Sequence, residues 1–153
     1  MLKAGDALPD LTVPDDSGSP FPLRSLVGQR VVLYFYPKAD TPGCTKESCG
    51  FRDASGDFAA ADTVIVGVSP DGVKDQLKFK EKFSLPFTLL ADLDHEIAEA
   101  FGVWGEKQFM GKKYMGVSRT TFLIGRDGRI AKVYEKVKPE GHAEEVLADL
   151  KAL

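Results

Sequence analysis

Two cysteines, Cys44 and Cys49, are the side chains of this 153-residue chain best suited to covalent chemistry. The reactive form of a cysteine is its thiolate, which is favoured at a helix N-terminus by the unsatisfied N–H groups of the first turn. Cys44 occupies such a place. An apolar, β-branched run, Val31–Tyr36, ends at Pro37, and a polar loop, Lys38–Gly43, follows. Cys44, Phe51 and Phe58 then recur at intervals of seven, a helical period. Gly43 lets backbone approach a small substrate closely. Taken alone, Cys44 also fits the reading of a buried cysteine acting as a small apolar side chain.

The neighbours of Cys44 sharpen the choice. Thr41, three residues earlier, carries a hydroxyl that both donates and accepts. It could hold a peroxide oxygen beside the sulfur, or simply cap the helix. Glu47, three residues later, shares a helical face with Cys44. It could orient the loop, or complement the helix dipole as a first-turn acid. Cys49 lies five residues after Cys44. In an intact helix that spacing separates the two Cα atoms by roughly 8–9 Å, whereas a disulfide needs them within about 7 Å. A bond between them therefore requires the helix to open, which Gly50 and Gly56 make less costly. Cys49 facing the core is the plainer alternative.

The elements that must position these residues follow from the apolar pattern. Leu11–Val13 reads as a short strand closed by the turn Asp15–Gly18. Val31–Tyr36 and Thr63–Ser69 read as strands buried on both faces. Asp71–Phe83 has helical spacing through Val73, Leu77, Phe79 and Phe83. Phe87–Ala91 is a short strand, and Asp94–Phe101 a helix with Asp94 as candidate N-cap. Residues 105–118, with three glycines and scattered aromatics, read as a long loop. Thr120–Ile124 and Ile130–Tyr134 form a hairpin around Asp127-Gly128, and Glu140–Leu153 is a closing amphipathic helix. Two leading βα units imply parallel strands with right-handed crossovers, and the late hairpin makes the sheet mixed. The expectation is an α/β sandwich over residues 1–153, a single domain without repeats or linkers. The strand-to-helix loop carrying Cys44 falls where α/β sheets place their reaction sites.

Composition limits the function classes. The chain is 43% hydrophobic and 28% charged, near the globular average. Its formal net charge of −3 and interrupted basic stretches (78–82 and 107–113) argue against nucleic acid as a partner. It has no apolar run of membrane-spanning length and no apolar segment of a secretory signal near Met1, so a cytoplasmic location is the expectation. There, a permanent structural disulfide is disfavoured.

The run Pro37-x-x-x-Thr41-x-x-Cys44 resembles the active-site signature of the peroxiredoxins. The longer Thr41-Pro42-Gly43-Cys44-Thr45-x-Glu47-x-Cys49-Gly50-Phe51-Arg52-Asp53 resembles the Q-type peroxiredoxins, also called bacterioferritin comigratory proteins. Lys112–Gly116, Arg119–Ile124 and Gly141-His142-Ala143 extend the likeness over nearly the whole chain.

The resemblance implies a thioredoxin-like three-layer sandwich with a mixed central sheet and an N-terminal β extension. It implies a monomer and a thiol peroxidase needing neither metal nor organic cofactor. Cys44 matches the peroxidatic cysteine, Thr41 the residue that bonds the peroxide, and Pro37 the proline shielding the sulfur. Arg119 matches the distant arginine completing the site, and Cys49 the resolving cysteine; Gly43 and Glu47 support them. The implied reaction reduces hydrogen peroxide and organic hydroperoxides through a Cys44 sulfenic acid and a Cys44–Cys49 disulfide, recycled by thioredoxin. Ser48 departs from the alanine common in the family, and Phe109-Met110 from a Met-Tyr pair.

Three other classes compete. A disulfide oxidoreductase would share the fold, but there is no Cys-x-x-Cys. A metal module would have to recruit His95 and His142, which lie far apart and read as exposed helix starts. A holdase would need a large exposed apolar stripe, and none is evident.

Overall fold

The run from Val31 to Tyr36 is apolar at every position, so both of its faces must be covered. A computed structural model of the chain describes residues 1–152 and places this run at the centre of a five-stranded sheet. β3 (Arg30–Phe35) pairs in parallel with β4 (Thr63–Ser69), Arg30 opposite Thr63 and Phe35 opposite Val68. On its other side it pairs antiparallel with β8 (Thr120–Ile124). β5 (Thr88–Ala91) and β9 (Ile130–Tyr134) complete the mixed sheet in the order β5-β4-β3-β8-β9. Ahead of it, β1 (Thr12–Pro14) and β2 (Pro20–Pro22) form the expected N-terminal β extension as a small antiparallel hairpin.

Strand alternation sorts the core into two clusters. Val31, Leu33 and Phe35 face Leu8, Val13, Leu23, Ile97, Phe101 and Phe122, so the N-terminal extension and α4 (Glu96–Phe101) cover this side. Val32, Tyr34 and Tyr36 face the other side. There they meet Cys44 and Phe51 of α1 (Pro42–Asp53), Phe58 of α2 (Ser55–Ala60) and Phe79 of α3 (Val73–Phe83). Ala143, Val146 and Leu150 of α5 (His142–Lys151) complete that layer. The result is the expected three-layer thioredoxin-like sandwich.

Several elements differ from the sequence reading. Residues 105–118 are not a loop: β6 (Trp104–Phe109) and β7 (Lys112–Val117) form an antiparallel hairpin, Lys107 opposite Tyr114. Most of this hairpin is solvent-facing, so it lacks the alternation that marks a half-buried strand. The helix inferred through Phe51 and Phe58 is broken at Ala54 into α1 and α2. Asp94 does not cap α4; the chain turns left-handed at His95 (φ 49°), and buried Asp92 accepts from the N–H groups of Ile97 and Ala98 at 3.0 and 2.9 Å. α5 begins at His142 rather than Glu140, after a left-handed Gly141; Leu153, to which the helix was carried in sequence, lies outside the described residues. Leu77, assigned to the apolar side of α3, is exposed, and Gln76 and Phe79 are the buried residues of that helix.

Candidate active site

The loop from Pro37 to Thr41 is held by its backbone. Asp71, just past β4, accepts from the Ala39 N–H at 2.8 Å and from the Ser69 hydroxyl at 2.6 Å. Asp40 adopts a left-handed backbone (φ 60°) and pairs with Lys82 of α3 at 2.8 Å. Half-buried Pro37 sits where the chain leaves β3. Thr41 occupies the N-cap position of α1 in extended backbone, yet its side chain does not cap the helix. Its hydroxyl donates to the Lys38 carbonyl at 2.9 Å, which leaves the oxygen's lone pairs available as acceptors. Pro42 then opens α1, where a missing N–H costs nothing.

Cys44 lies in the first turn of α1, is buried to 1% exposure and carries a free thiol. Arg119 reaches it from the short connection between β7 and β8. One guanidinium nitrogen, Nη2, donates to Cys44 Sγ at 3.3 Å, and Nη1 donates to Glu47 Oε1 at 2.8 Å. The fork thus bridges two residues one helical turn apart, as its fixed geometry permits. Gly43 makes room for it: a Cβ there would stand 3.1 Å from Arg119 Nη2 and 3.6 Å from the Pro139 ring.

Glu47 is not a solvated first-turn acid. It is 1% exposed, and Oε2 is the one buried side-chain polar atom without a partner among the described residues. Burial pushes its pKa up to about 7 against the opposing pull of Arg119. Burial works against the Arg119 charge as well, but Glu47 and Cys44 overcome it and raise its pKa. Lys107, read in sequence as part of a loop, lies across the β6–β7 hairpin with Nζ donating to the Val117 carbonyl at 2.9 Å. Its pKa is lowered by burial and by the nearby Arg119, while Cys44 opposes that shift. Only the hairpin pairing brings this third charge toward the site, so sequence spacing carried no sign of it.

Cys49 sits in the second turn of the same uninterrupted helix, half-buried and free. The pair is therefore in the arrangement that forbids a disulfide until α1 opens. Of the residues singled out in sequence, Cys44, Arg119, Glu47 and Gly43 converge in contact. Thr41 and Pro37 flank them on the loop, and Cys49 stands apart.

The histidines are not equivalent helix starts. His142 is buried, with Nε2 2.8 Å from Thr121 Oγ1 and Nδ1 3.0 Å from Glu145 Oε1, and burial lowers its pKa. His95 stacks on Trp104 at 3.9 Å between ring centroids. Among the described residues no three His, Cys, Asp or Glu side chains gather as a metal site, and no helix is long and apolar enough to cross a membrane.

Comparison with known proteins shows the family and the fold. Residues 4–133 match the AhpC/TSA family. Peroxiredoxin Bcp of Bacillus subtilis (strain 168) is 50% identical over 150 residues, covering 98% of this chain and 96% of that protein. Peroxiredoxin Bcp of Escherichia coli (strain K12) is 48% identical with the same coverage. Among solved structures, the bacterioferritin comigratory protein of Xanthomonas campestris, studied for alkyl peroxide reduction, superposes with a TM-score of 0.91. It is 39% identical, covering 99% of this chain and 97% of that one. The buried thiol under an arginine fork thus sits in a frame shared with peroxidases, and the chain belongs to the AhpC/TSA family, as a peroxiredoxin of the Bcp (Q-type) group.

Proposed function

We propose that this peroxiredoxin reduces hydrogen peroxide and organic hydroperoxides with Cys44 as peroxidatic and Cys49 as resolving cysteine, drawing electrons from thioredoxin. The observation that carries the reading is the Arg119 Nη2 bond to Cys44 Sγ at 3.3 Å, which brings fixed positive charge to the one thiol at the start of α1. A preorganised donor of this kind stabilises a thiolate. It also stabilises the peroxide oxygen that gains charge as the O–O bond breaks.

The Cys44 thiolate attacks the terminal oxygen of ROOH, forming the S–O bond and breaking O–O. The alkoxide leaves and takes a proton to become ROH, and Cys44 becomes a sulfenic acid. Thr41 holds the peroxide, Pro37 shields the sulfur, and Gly43 and Glu47 hold Arg119 in place. With Cys44 only 1% exposed, a slender –OOH group is what reaches it. α1 then opens, Cys49 sulfur attacks Cys44 sulfur, the S–S bond forms, and hydroxide departs with the thiol proton as water. Exchange with a dithiol of thioredoxin returns both cysteines to thiols. The alkyl peroxide reduction studied in the Xanthomonas protein supports organic hydroperoxides as substrates. Antioxidant defence by a cytoplasmic monomer, one domain over residues 1–153, completes the reading.

Kinetics with thioredoxin as reductant test it. Cys44→Ser removes all peroxide consumption. Cys49→Ser consumes one equivalent and then stalls. Sustained thioredoxin-driven turnover by the second variant would remove Cys49 from the resolving role.

A further inference from the structure

Ser48, in the turn between Cys44 and Cys49, is fully buried, and its hydroxyl lies 2.8 Å from the Tyr34 hydroxyl. Tyr34 is fully buried as well, and burial raises its pKa well above the usual tyrosine value, so it remains a neutral donor and acceptor. The two partners differ in mobility. Tyr34 belongs to β3, the central strand paired on both sides by β4 and β8, and cannot follow a movement of α1. Ser48 precedes Cys49 directly and is carried along whenever the turns between residues 44 and 49 unwind. The Phe51 ring packs on Tyr34 at 4.8 Å from the same helix, so the hydroxyl pair lies beneath the segment that must lift. The phenol just past β3, Tyr36, already donates to Gln76 Oε1 at 2.6 Å, and Gln76 donates in turn to the Leu90 carbonyl, so this amide is already engaged.

We infer that the Tyr34–Ser48 hydrogen bond is a latch on α1 that sets how long a Cys44 sulfenic acid waits before Cys49 reaches it. The inference rests on the reading of Cys49 as the resolving cysteine. Both residues are positioning residues: their hydroxyls bond each other, and the hydrogen bond to the Cys44 sulfur comes from Arg119. Each turnover breaks the bond, which leaves the Tyr34 hydroxyl to find water. While the latch holds, the sulfenic acid is open to a second hydroperoxide. That reaction forms another S–O bond, yielding Cys44 sulfinic acid and a second ROH. The latch therefore sets the balance between disulfide formation and overoxidation without altering the first attack.

The test is rapid-quench intact-mass analysis of wild type, Tyr34→Phe, Ser48→Ala and the double variant, each reduced and then mixed with hydrogen peroxide. Oxygen gain times the first step, and loss of two hydrogens times the second. One net hydrogen bond corresponds to about fivefold in an equilibrium. Each single variant should therefore form the disulfide about fivefold faster, with oxygen gain at the wild-type rate. Sulfinic acid should need about fivefold more peroxide. Because the two residues share one bond, the double variant should be no faster than the faster single. Disulfide formation at the wild-type rate or slower in Tyr34→Phe would overturn the latch, and that variant decides the matter if Ser48→Ala does not fold. Failure of the underlying reading looks different: the wild type would then gain oxygen and never lose two hydrogens, and the latch would fall with it.

Discussion

Replacing Arg119 by lysine keeps the charge and removes the fork, which isolates what the fork does. The guanidinium serves two acceptors at once, Glu47 at 2.8 Å and Cys44 Sγ at 3.3 Å. A single ammonium on a shorter reach serves one. It will go to Glu47, because a buried carboxyl whose other oxygen already lacks a partner bears the larger penalty when left alone. Cys44 then loses a hydrogen bond from a charged donor. Such bonds contribute about 1.5–3 kcal/mol, and the weaker half of that range suits a sulfur acceptor. At about 1.4 kcal/mol per factor of ten, the reaction of reduced Cys44 with hydrogen peroxide should slow by about 10- to 40-fold. The assay is stopped-flow consumption of peroxide by pre-reduced protein without reductant, so that recycling does not enter. Thermal unfolding run alongside shows whether the variant is intact. A folded Arg119→Lys variant within about twofold of wild type would refute the claim that the second arm of the fork matters.

Two further outcomes follow from the same contacts. Gly43→Ala puts a methyl 3.1 Å from Arg119 Nη2 and obliges the guanidinium to shift by a few tenths of an ångström; the first step should slow by about three- to tenfold, less than for lysine, in the same assay. Glu47 titrates near 7 when folded and near 4.5 when unfolded, so the folded state keeps a proton that the unfolded state has released. Its contribution to stability is fully present below pH 4.5 and is lost as pH rises through about 7. Glu47→Gln should therefore flatten that part of the fall in urea midpoints between pH 4.5 and 7, and an identical pH profile for both proteins would contradict the buried, proton-holding carboxylate.

The sheet was legible in the sequence where burial is two-sided. Val31–Tyr36 and Thr63–Ser69 carry no polar break that competes with a strand, and Asp127-Gly128 dictates a tight turn. The β6–β7 hairpin was not legible, because its side chains meet mostly water and backbone pairing leaves no mark on composition. Lys107 was lost with it. Burial that depends on tertiary contacts was equally hidden. Glu47, three residues from Cys44, has the spacing of an ordinary first-turn acid, and only the arrival of Arg119 from 72 residues away explains its enclosure. His142 likewise starts a helix like any surface histidine until Thr121 meets it from β8. Cys44 and Cys49 stood out because cysteines at this spacing have few uses. The convergence of Arg119 on Cys44 was available only through likeness to a known family, since residues far apart in sequence share no periodicity.

The most direct test of the account is the intact mass of reduced protein after one equivalent of hydrogen peroxide, taken without reductant. Loss of two hydrogens within a single chain is the predicted result, since it requires Cys44 to be oxidised first and α1 to open for Cys49. Gain of a single oxygen that persists would leave Cys44 as the peroxidatic residue and contradict the role of Cys49. An unchanged mass would contradict the activation of Cys44 by Arg119, on which the whole account stands.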